Sequence, residues 1–345
     1  MSATLVTDKI EFSVFGKGYD DARGNSGDGM DTLFMWKCDY AAFDKTSRYL
    51  WITTKTGNTE DVRIHKIDTT TWEEVHHAFE NVDCSLQNTD GLLTYVENDN
   101  SNYGVLVTTS SGLVIFDLTT DEVIYTIDGN LWTFEGYYPR ATHVDNLIRI
   151  IGATMSPNYY RAPWAVVDTD TSSYILNEQS GGYTISSFYN DTNIVLSNRQ
   201  HGDRQYIWGG TIESSGGLHQ TWGLRDFITK ATLDGFASND YLFFPTQVGD
   251  IWQYGKYTVP PDLVTPSPIT TFGLNANTLA TPACYTRGRT WASFRTTDNA
   301  LVVTDFVNSA ILYQDDSLYL TPKAMGDPWI ICDGSDGCTY LAQYR

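Results

Sequence analysis

Five arginines stand among aromatic residues in the middle of the chain. Arg140 follows Tyr137 and Tyr138, and Arg161 follows Tyr159 and Tyr160 and precedes Trp164. Arg199 and Arg204 bracket His201, and Arg225 follows at Leu224. A guanidinium is a planar fork of N–H donors that matches a carboxylate, and Tyr and Trp rings offer flat, amphipathic contact area. The mixture suits sugars, carboxylates or a protein partner. His201, next to Asp203 and Arg204, is the best acid–base candidate in the sequence. The bland counterpart is that these arginines pair with nearby Asp and that the rings fill gaps in a core.

Other chemistry leaves little trace, and no catalytic residue, cofactor or metal site is assigned. The sequence has no Gly-x-Ser-x-Gly elbow, phosphate-binding glycine loop, His-Glu-x-x-His or Cys-x-x-Cys. His76 and His77 are adjacent, so on a strand they point to opposite faces. Gly27–Asp31 and Asp333–Asp336 put carboxylates near carbonyls, yet neither matches a twelve-residue calcium loop, and hairpin turns explain both. Sialidase-type Ser-x-Asp-x-Gly-x-x-Trp boxes are absent. Cys332 and Cys338 flank a five-residue turn and could bridge in an oxidising compartment, but five cysteines in a chain this long read as packed thiols.

The charge balance excludes whole classes of partner. The 345 residues carry 22 Lys and Arg against 42 Asp and Glu, a net charge of −20. Phosphate contacts need a positive face, so nucleic-acid binding is not expected, and neither is attachment to an anionic membrane. No run approaches the roughly 18 apolar residues of a membrane span. Met1 to Gly16 shows no signal-peptide pattern. A virion or extracellular location is expected, with the cytoplasm as the alternative. Asp outnumbers Glu 32 to 10, which fits a chain rich in turns.

The elements that must position the arginines read as strands. Tyr, Trp, Phe, Val, Ile and Thr recur in short runs broken by Gly, Asp and Asn, with no sustained 3.6-residue apolar period. One pattern repeats: an apolar strand ends in Asp, a polar turn follows, and a new strand begins. It occurs at Ile67-Asp68-Thr69-Thr70-Thr71, Phe116-Asp117-Leu118-Thr119-Thr120, Val167-Asp168-Thr169-Asp170-Thr171 and Thr304-Asp305-Phe306-Val307-Asn308. Degenerate copies are expected near Tyr206–Trp208 and Ile251–Gln253. A second apolar strand precedes each copy, at Leu50–Thr53, Val105–Thr108, Leu147–Ile151, Asn193–Leu196, Tyr241–Phe244, Trp291–Phe294 and Trp329–Cys332. A period of about 45 residues is that of a four-stranded propeller blade.

On these repeats the sequence resembles the divergent seven-bladed β-propellers, WD-repeat-like or quinoprotein-like in period, without the Gly-His…Trp-Asp signature. The resemblance implies an all-β fold in one domain. Residues 1–16 would supply a closing strand, at Ile10–Phe15, that completes the last blade. Residues 17–32 would be a glycine-rich link, and 33–345 seven blades. Two packed β-sandwiches are the rival fold.

In a propeller, the loops between strands 2 and 3 share a face with the connections between blades. That geometry gathers Tyr137, Tyr138, Arg140, Tyr159, Tyr160, Arg161, Trp164, Arg199, His201, Arg204 and Arg225 over the third to fifth blades. The long Pro-rich stretch from Tyr257 to Leu279 is expected to be a loop. The leading functional reading is a non-enzymatic recognition or structural protein, a virus-particle component such as a phage tail or receptor-contact protein. Its partner would be a glycan or another protein, including other virion proteins. A propeller glycosidase, lyase or lactonase is the alternative, with carboxylates converging on the mouth of the channel. An intracellular WD-like scaffold is the third.

Overall fold

The computed structural model describes residues 5–6, 40–44, 46–55, 62–71, 73–76, 92–96, 103–108, 112–128, 138–153, 161–180, 183–188, 190–199, 204–228, 236–238, 241–248, 251–262, 269–271, 284–285, 291–295, 301–305, 308, 310–315, 320–333 and 339–344. Every regular element among them is a strand. β1 (Leu5–Val6) comes first and is placed below. β2 (Tyr40–Phe43), β3 (Tyr49–Lys55), β4 (Val62–Asp68) and β5 (Glu73–His76) form an antiparallel sheet in that order. So do β6 (Leu92–Tyr95), β7 (Tyr103–Thr108), β8 (Gly112–Asp117) and β9 (Glu122–Asp128). β10 (Tyr138–Val144), β11 (Leu147–Ala153), β12 (Arg161–Asp168) and β13 (Ser173–Ser180) repeat the arrangement. β14 (Tyr183–Phe188), β15 (Asn193–Arg199), β16 (Arg204–Ile212) and β17 (Leu218–Ile228) follow. Next come β18 (Phe236–Ser238), β19 (Tyr241–Val248), β20 (Ile251–Thr258) and β21 (Thr270–Thr271), then β22 (Cys284–Tyr285), β23 (Trp291–Arg295), β24 (Leu301–Asp305) and β25 (Ala310–Asp315). The last sheet holds β26 (Thr321–Met325), β27 (Trp329–Asp333) and β28 (Thr339–Tyr344), with β1 as its outer strand.

The strands predicted to precede each Asp-ended copy are the second strands of their sheets, β3, β7, β11, β15, β19, β23 and β27. The Asp-ended strands are third strands. The repeated Asp has a local cause. Its carboxylate accepts hydrogen bonds from the turn that follows: Asp68 from Thr70 N and Oγ1 at 2.8 and 2.6 Å, Asp117 from Thr119 N at 2.7 Å. Asp168 accepts from Asp170 N at 2.9 Å, and Asp305 from Asn308 N at 3.0 Å. The first three are Asx turns, and the Asp305 bond spans one residue more; each locks the hairpin into the fourth strand. Asp44 and Asn190 do the same at first-to-second-strand turns, where they bond Tyr49 N and Asn193 N.

The first strands of successive sheets touch one another: β2 meets β6, β6 meets β10, β10 meets β14, β14 meets β18 and β22 meets β26. β26 returns to β2, so the first and last sheets are neighbours. Each core cluster lies between two neighbouring sheets. Ile148, Ile150, Ala165 and Val167 pack on Val96, Val105 and Ile115 of the preceding sheet. Ile151, Trp164 and Val166, which point the other way, pack on Phe188, Ile194, Trp208 and Ile212 of the following one. A strand buried on both faces reads as a continuous apolar run, which is why these segments lack simple alternation. This ring of radially ordered sheets is a β-propeller.

The ring is fastened where its ends meet. Leu5 and Val6 pair with Tyr344 and Gln343, covering the edge of β28. The sequence put this strand at Ile10–Phe15, which lie outside the described residues, as does the 17–32 link. Asp327 N donates to Ser47 Oγ at 2.7 Å, and Ala324 and Ile331 share a core with Phe43, Leu50 and Ile52.

Candidate recognition edge on β10–β17

Two of the sheets are joined. β11 pairs with β14 in parallel at Ala153–Ile185, which makes β10–β17 one eight-stranded sheet. Proline provides the reason. The β11–β12 ladder ends at Ile151–Trp164, one step before Pro163, which has no N–H to donate. The end of β11 is thereby released to meet the next blade.

This junction lies at the edge where the candidate residues begin or end strands. Tyr138 starts β10 opposite Ala153, and Arg161 starts β12 opposite Ser180. Arg199 ends β15 opposite Gln205, and Arg204 starts β16 opposite Ile228. The register therefore brings Tyr138, Arg161, Arg199 and Arg204 to a common edge. Tyr137, Tyr159, Tyr160 and His201 lie outside the described residues.

Several expected loop positions are strand positions instead. Arg225 was expected in a connection to the fifth blade, but it lies within β17, next to Leu224, which pairs with Ile207. Arg161 to Trp164 open β12 rather than close a loop. Arg140 is buried within β10. Trp164 is also buried: its Nε1 donates to Gly216 O at 3.0 Å, and its ring packs on the following sheet. The Pro-rich stretch after Tyr257 is not all loop, because Thr270 and Thr271 fold back as β21 on Lys256 and Gly255.

The other edge carries the Asp turns, and here cations stitch neighbouring sheets together. Lys66 Nζ on β4 reaches both carboxylate oxygens of Asp121 in the next sheet at 3.0 and 3.1 Å, over the rings of Tyr49 and Trp51. Lys256 on β20 occupies the matching place two residues before its strand end, 3.9 Å above the Tyr241 ring. Burial pulls its pKa down, and the Asp305 charge of the next sheet opposes that fall. Arg149 Nε donates to Ile212 O at 2.8 Å, and Thr142 Oγ1 to Asp191 O at 2.6 Å, both across the β10–β13 to β14–β17 boundary. Burial depresses Arg149 as well. These residues escaped the sequence reading because each partner is more than 45 positions away. The legible signal was a Lys two residues before the end of a third strand, at Lys66 and again at Lys256.

His143 on β10 stacks edge-on to Tyr103 of the preceding sheet at 4.9 Å, and burial lowers its pKa. Among the described residues no group of three or more His, Cys, Asp or Glu is arranged to hold a metal. Cys332 is a buried thiol, and Cys338 lies outside the described residues. No Asp or Glu occurs in the described residues of the innermost strands β2, β6, β10, β14, β18, β22 and β26. No described helix is long and apolar enough to cross a membrane.

No family model matches the chain, and no curated protein matches it in sequence. Among solved structures, the chain is similar to the β-propeller domain of Cps50 (Swd1) from Myceliophteria thermophila, with a TM-score of 0.55 at 9% identity over 89% of this chain and 96% of that one. A computationally designed protein, Ika8, aligns with a TM-score of 0.49 at 10% identity over 89% of this chain and 96% of its own. At 9% identity the similarity to the Swd1 domain speaks to fold alone: the chain is a divergent β-propeller.

Proposed function

We propose that the chain is a non-enzymatic recognition and structural protein, a virus-particle component of the phage-tail or receptor-contact kind. Its propeller is the rigid support, and the edge of β10–β17 meets a glycan or a protein partner. One observation carries the reading: Tyr138, Arg161, Arg199 and Arg204 come to one edge through the strand register, at the point where two sheets fuse. Aromatic surface beside guanidinium forks is the composition of binding hot spots. The virion assignment is supported by composition: high acidity together with many Tyr, Trp, Asn and Thr.

A glycan-array screen of the purified protein, with calcium and with EDTA, tests the reading. Binding that falls at least tenfold in Arg161→Ala with Arg204→Ala, while the melting temperature stays within about 2 °C, is the expected result. Undiminished binding in that variant removes this edge from the proposal.

A further inference from the structure

We propose that the outer strand β13 is a docking edge for a second copy of the chain, which adds its own β13 antiparallel about a two-fold axis at Ile175. The proposal does not depend on the recognition reading above.

An outer strand offers unpaired N–H and C=O groups to any other strand, and folded proteins blunt such edges with bulges, short strands, Lys, Pro or a cover. The other outer strands of this ring are blunted. β5, β9, β17 and β25 each shift register against their third strand, at Val75, Ile124, Thr221 and Leu312. A shift of this kind bends the strand and interrupts its outer row of hydrogen-bonding groups. β21 is two residues long, and β28 is covered by β1. β13 has none of these devices. All eight of its residues, Ser173 to Ser180, pair with β12 in unbroken register, and they include neither Pro nor Lys. Among the described strands none pairs with its other side.

The edge is also apolar and held in place. Tyr174 and Ile175 point to opposite faces and are 44% and 40% exposed. Glu178 N donates to Asn177 Oδ1 at 3.0 Å, so the free stretch runs from Ser173 to Asn177 and is centred on Ile175. Asn177 Nδ2 donates to Gly216 O at 3.3 Å, and Gly216 lies close against Ile175. The turn between β16 and β17 therefore fixes the strand before a partner arrives, and little order has to be gained on pairing.

The sequence of β13 makes a second copy the fitting occupant. A two-fold axis joins the same patch on both molecules, so the strand must complement itself. With the axis at Ile175, that residue meets its own copy, Tyr174 meets the second copy's Leu176, and Ser173 meets its Asn177. Apolar side chains face apolar ones and polar face polar, with both members of each pair on one face of the joined sheet. Leu176 already packs on the core shared with the preceding sheet, and the incoming Tyr174 extends that core. Glu178, the one charge in the strand, falls opposite Ser172, so no like charges are opposed. β9 makes the contrast: paired in this way about its central Tyr125, it would set Glu122 against Asp128 in a chain of net charge −20.

Sedimentation velocity of the full chain, from about 1 to 200 µM, tests the proposal. The expected result is a reversible dimer that Ile175→Lys weakens at least tenfold, with a melting temperature within about 2 °C of the parent. Ile175→Cys should give a disulfide-linked dimer on mild oxidation, because directly opposed residues hold their Cβ atoms about 4.5–5.5 Å apart. Ser173→Cys lies about 14 Å from its own copy in this register and should crosslink no more than the parent chain. Should Ile175→Lys melt lower, the two cysteine variants decide. A monomer throughout the range overturns the proposal, as does a dimer unaffected by Ile175→Lys or crosslinked equally by both cysteines. A monomer whose binding to another protein falls in Ile175→Lys assigns the edge to that partner and overturns the second copy.

Discussion

Removing the charge of Asp121 should loosen the joint between the first two described sheets by a predictable amount. Lys66 Nζ is bonded to both carboxylate oxygens, and the two side chains are only 10% and 19% exposed. The amine also sits 4.6 Å from the Tyr49 ring centroid. Asp121 has a φ of +61°, so asparagine, which tolerates that backbone, is the substitution that isolates the charge. Hydrogen bonds to charged groups contribute about 1.5–3 kcal/mol, and a partly buried pair belongs near the middle, about 2 kcal/mol. Unfolding entropy of about 2.1 cal/mol/K per residue gives about 0.7 kcal/mol/K for this chain, so Asp121→Asn should lower the melting temperature by about 3 °C. Lys66→Met should cost less than the sum of its parts when combined with Asp121→Asn, since an apolar side chain needs no counter-ion. The assay is a double-mutant cycle read by thermal melts in low and high salt. A coupling energy below about 0.5 kcal/mol would mean that the contact is ornamental and that sheet-to-sheet packing alone holds the joint.

Three further outcomes follow from local geometry. Gly216 has a φ of +75°, and a Cβ there would collide with Ile175 Cγ2, so Gly216→Ala should destabilise by about 2 kcal/mol, and Ile175→Ala in the same chain should return part of it in urea titrations. The Asp68 and Asp168 carboxyls are held below the usual range, Asp68 chiefly by Thr70 and Asp168 chiefly by Thr171. Their contribution is complete above the ordinary carboxylate pKa of about 3.9 and is lost as pH falls through the folded value, so Asp68→Asn with Asp168→Asn should flatten the acid end of a melting-temperature profile. His143 is depressed by burial, so its neutral form is favoured in the fold; stability is complete above about pH 6.5 and declines as pH drops below it. His143→Phe, which keeps a ring against Tyr103, should shrink the difference in melting temperature between pH 8 and pH 5; an unchanged difference would assign that dependence to other groups.

The propeller was legible because its repeat is written in residues with a local job. An Asp that closes an Asx turn must follow the third strand wherever that turn recurs, so Asp68, Asp117, Asp168 and Asp305 mark the period directly. The second strands were legible for a different reason: each carries a short apolar run, and in β3, β11 and β27 consecutive residues are buried, at Leu50–Ile52, Ile150–Ile151 and Ile330–Cys332. The arginine edge was only partly legible. The sequence could assign Arg161 and Arg204 to one face, but it could not tell a loop from the first residue of a strand, and Arg225 went to a connection that is really β17. Trp164 was read as a loop aromatic because its partner, the carbonyl of Gly216 in the β16–β17 turn, is 52 positions away. The closing strand was placed at Ile10–Phe15 because alternation was visible there; Leu5–Val6, two residues long, has no periodicity to find.

The Ala153–Ile185 pairing has a consequence for how the ring opens. Among the described residues the blades otherwise meet mainly through side chains, with one further parallel bridge at Val96–Ala141. The β10–β13 and β14–β17 halves are joined by the one Ala153–Ile185 pair and by the Ile151–Phe188 core beside it, so loss of either half uncovers the other, and the two should open as one cooperative unit. Native-state hydrogen exchange would report this as a common protection plateau across β11, β14 and their partners. Anything that grips the edge of this unit pulls on a shared ladder and meets no hinge between its contacts. Its grip is then ordered before the partner arrives, so less of the contact energy is spent on holding two blades in step.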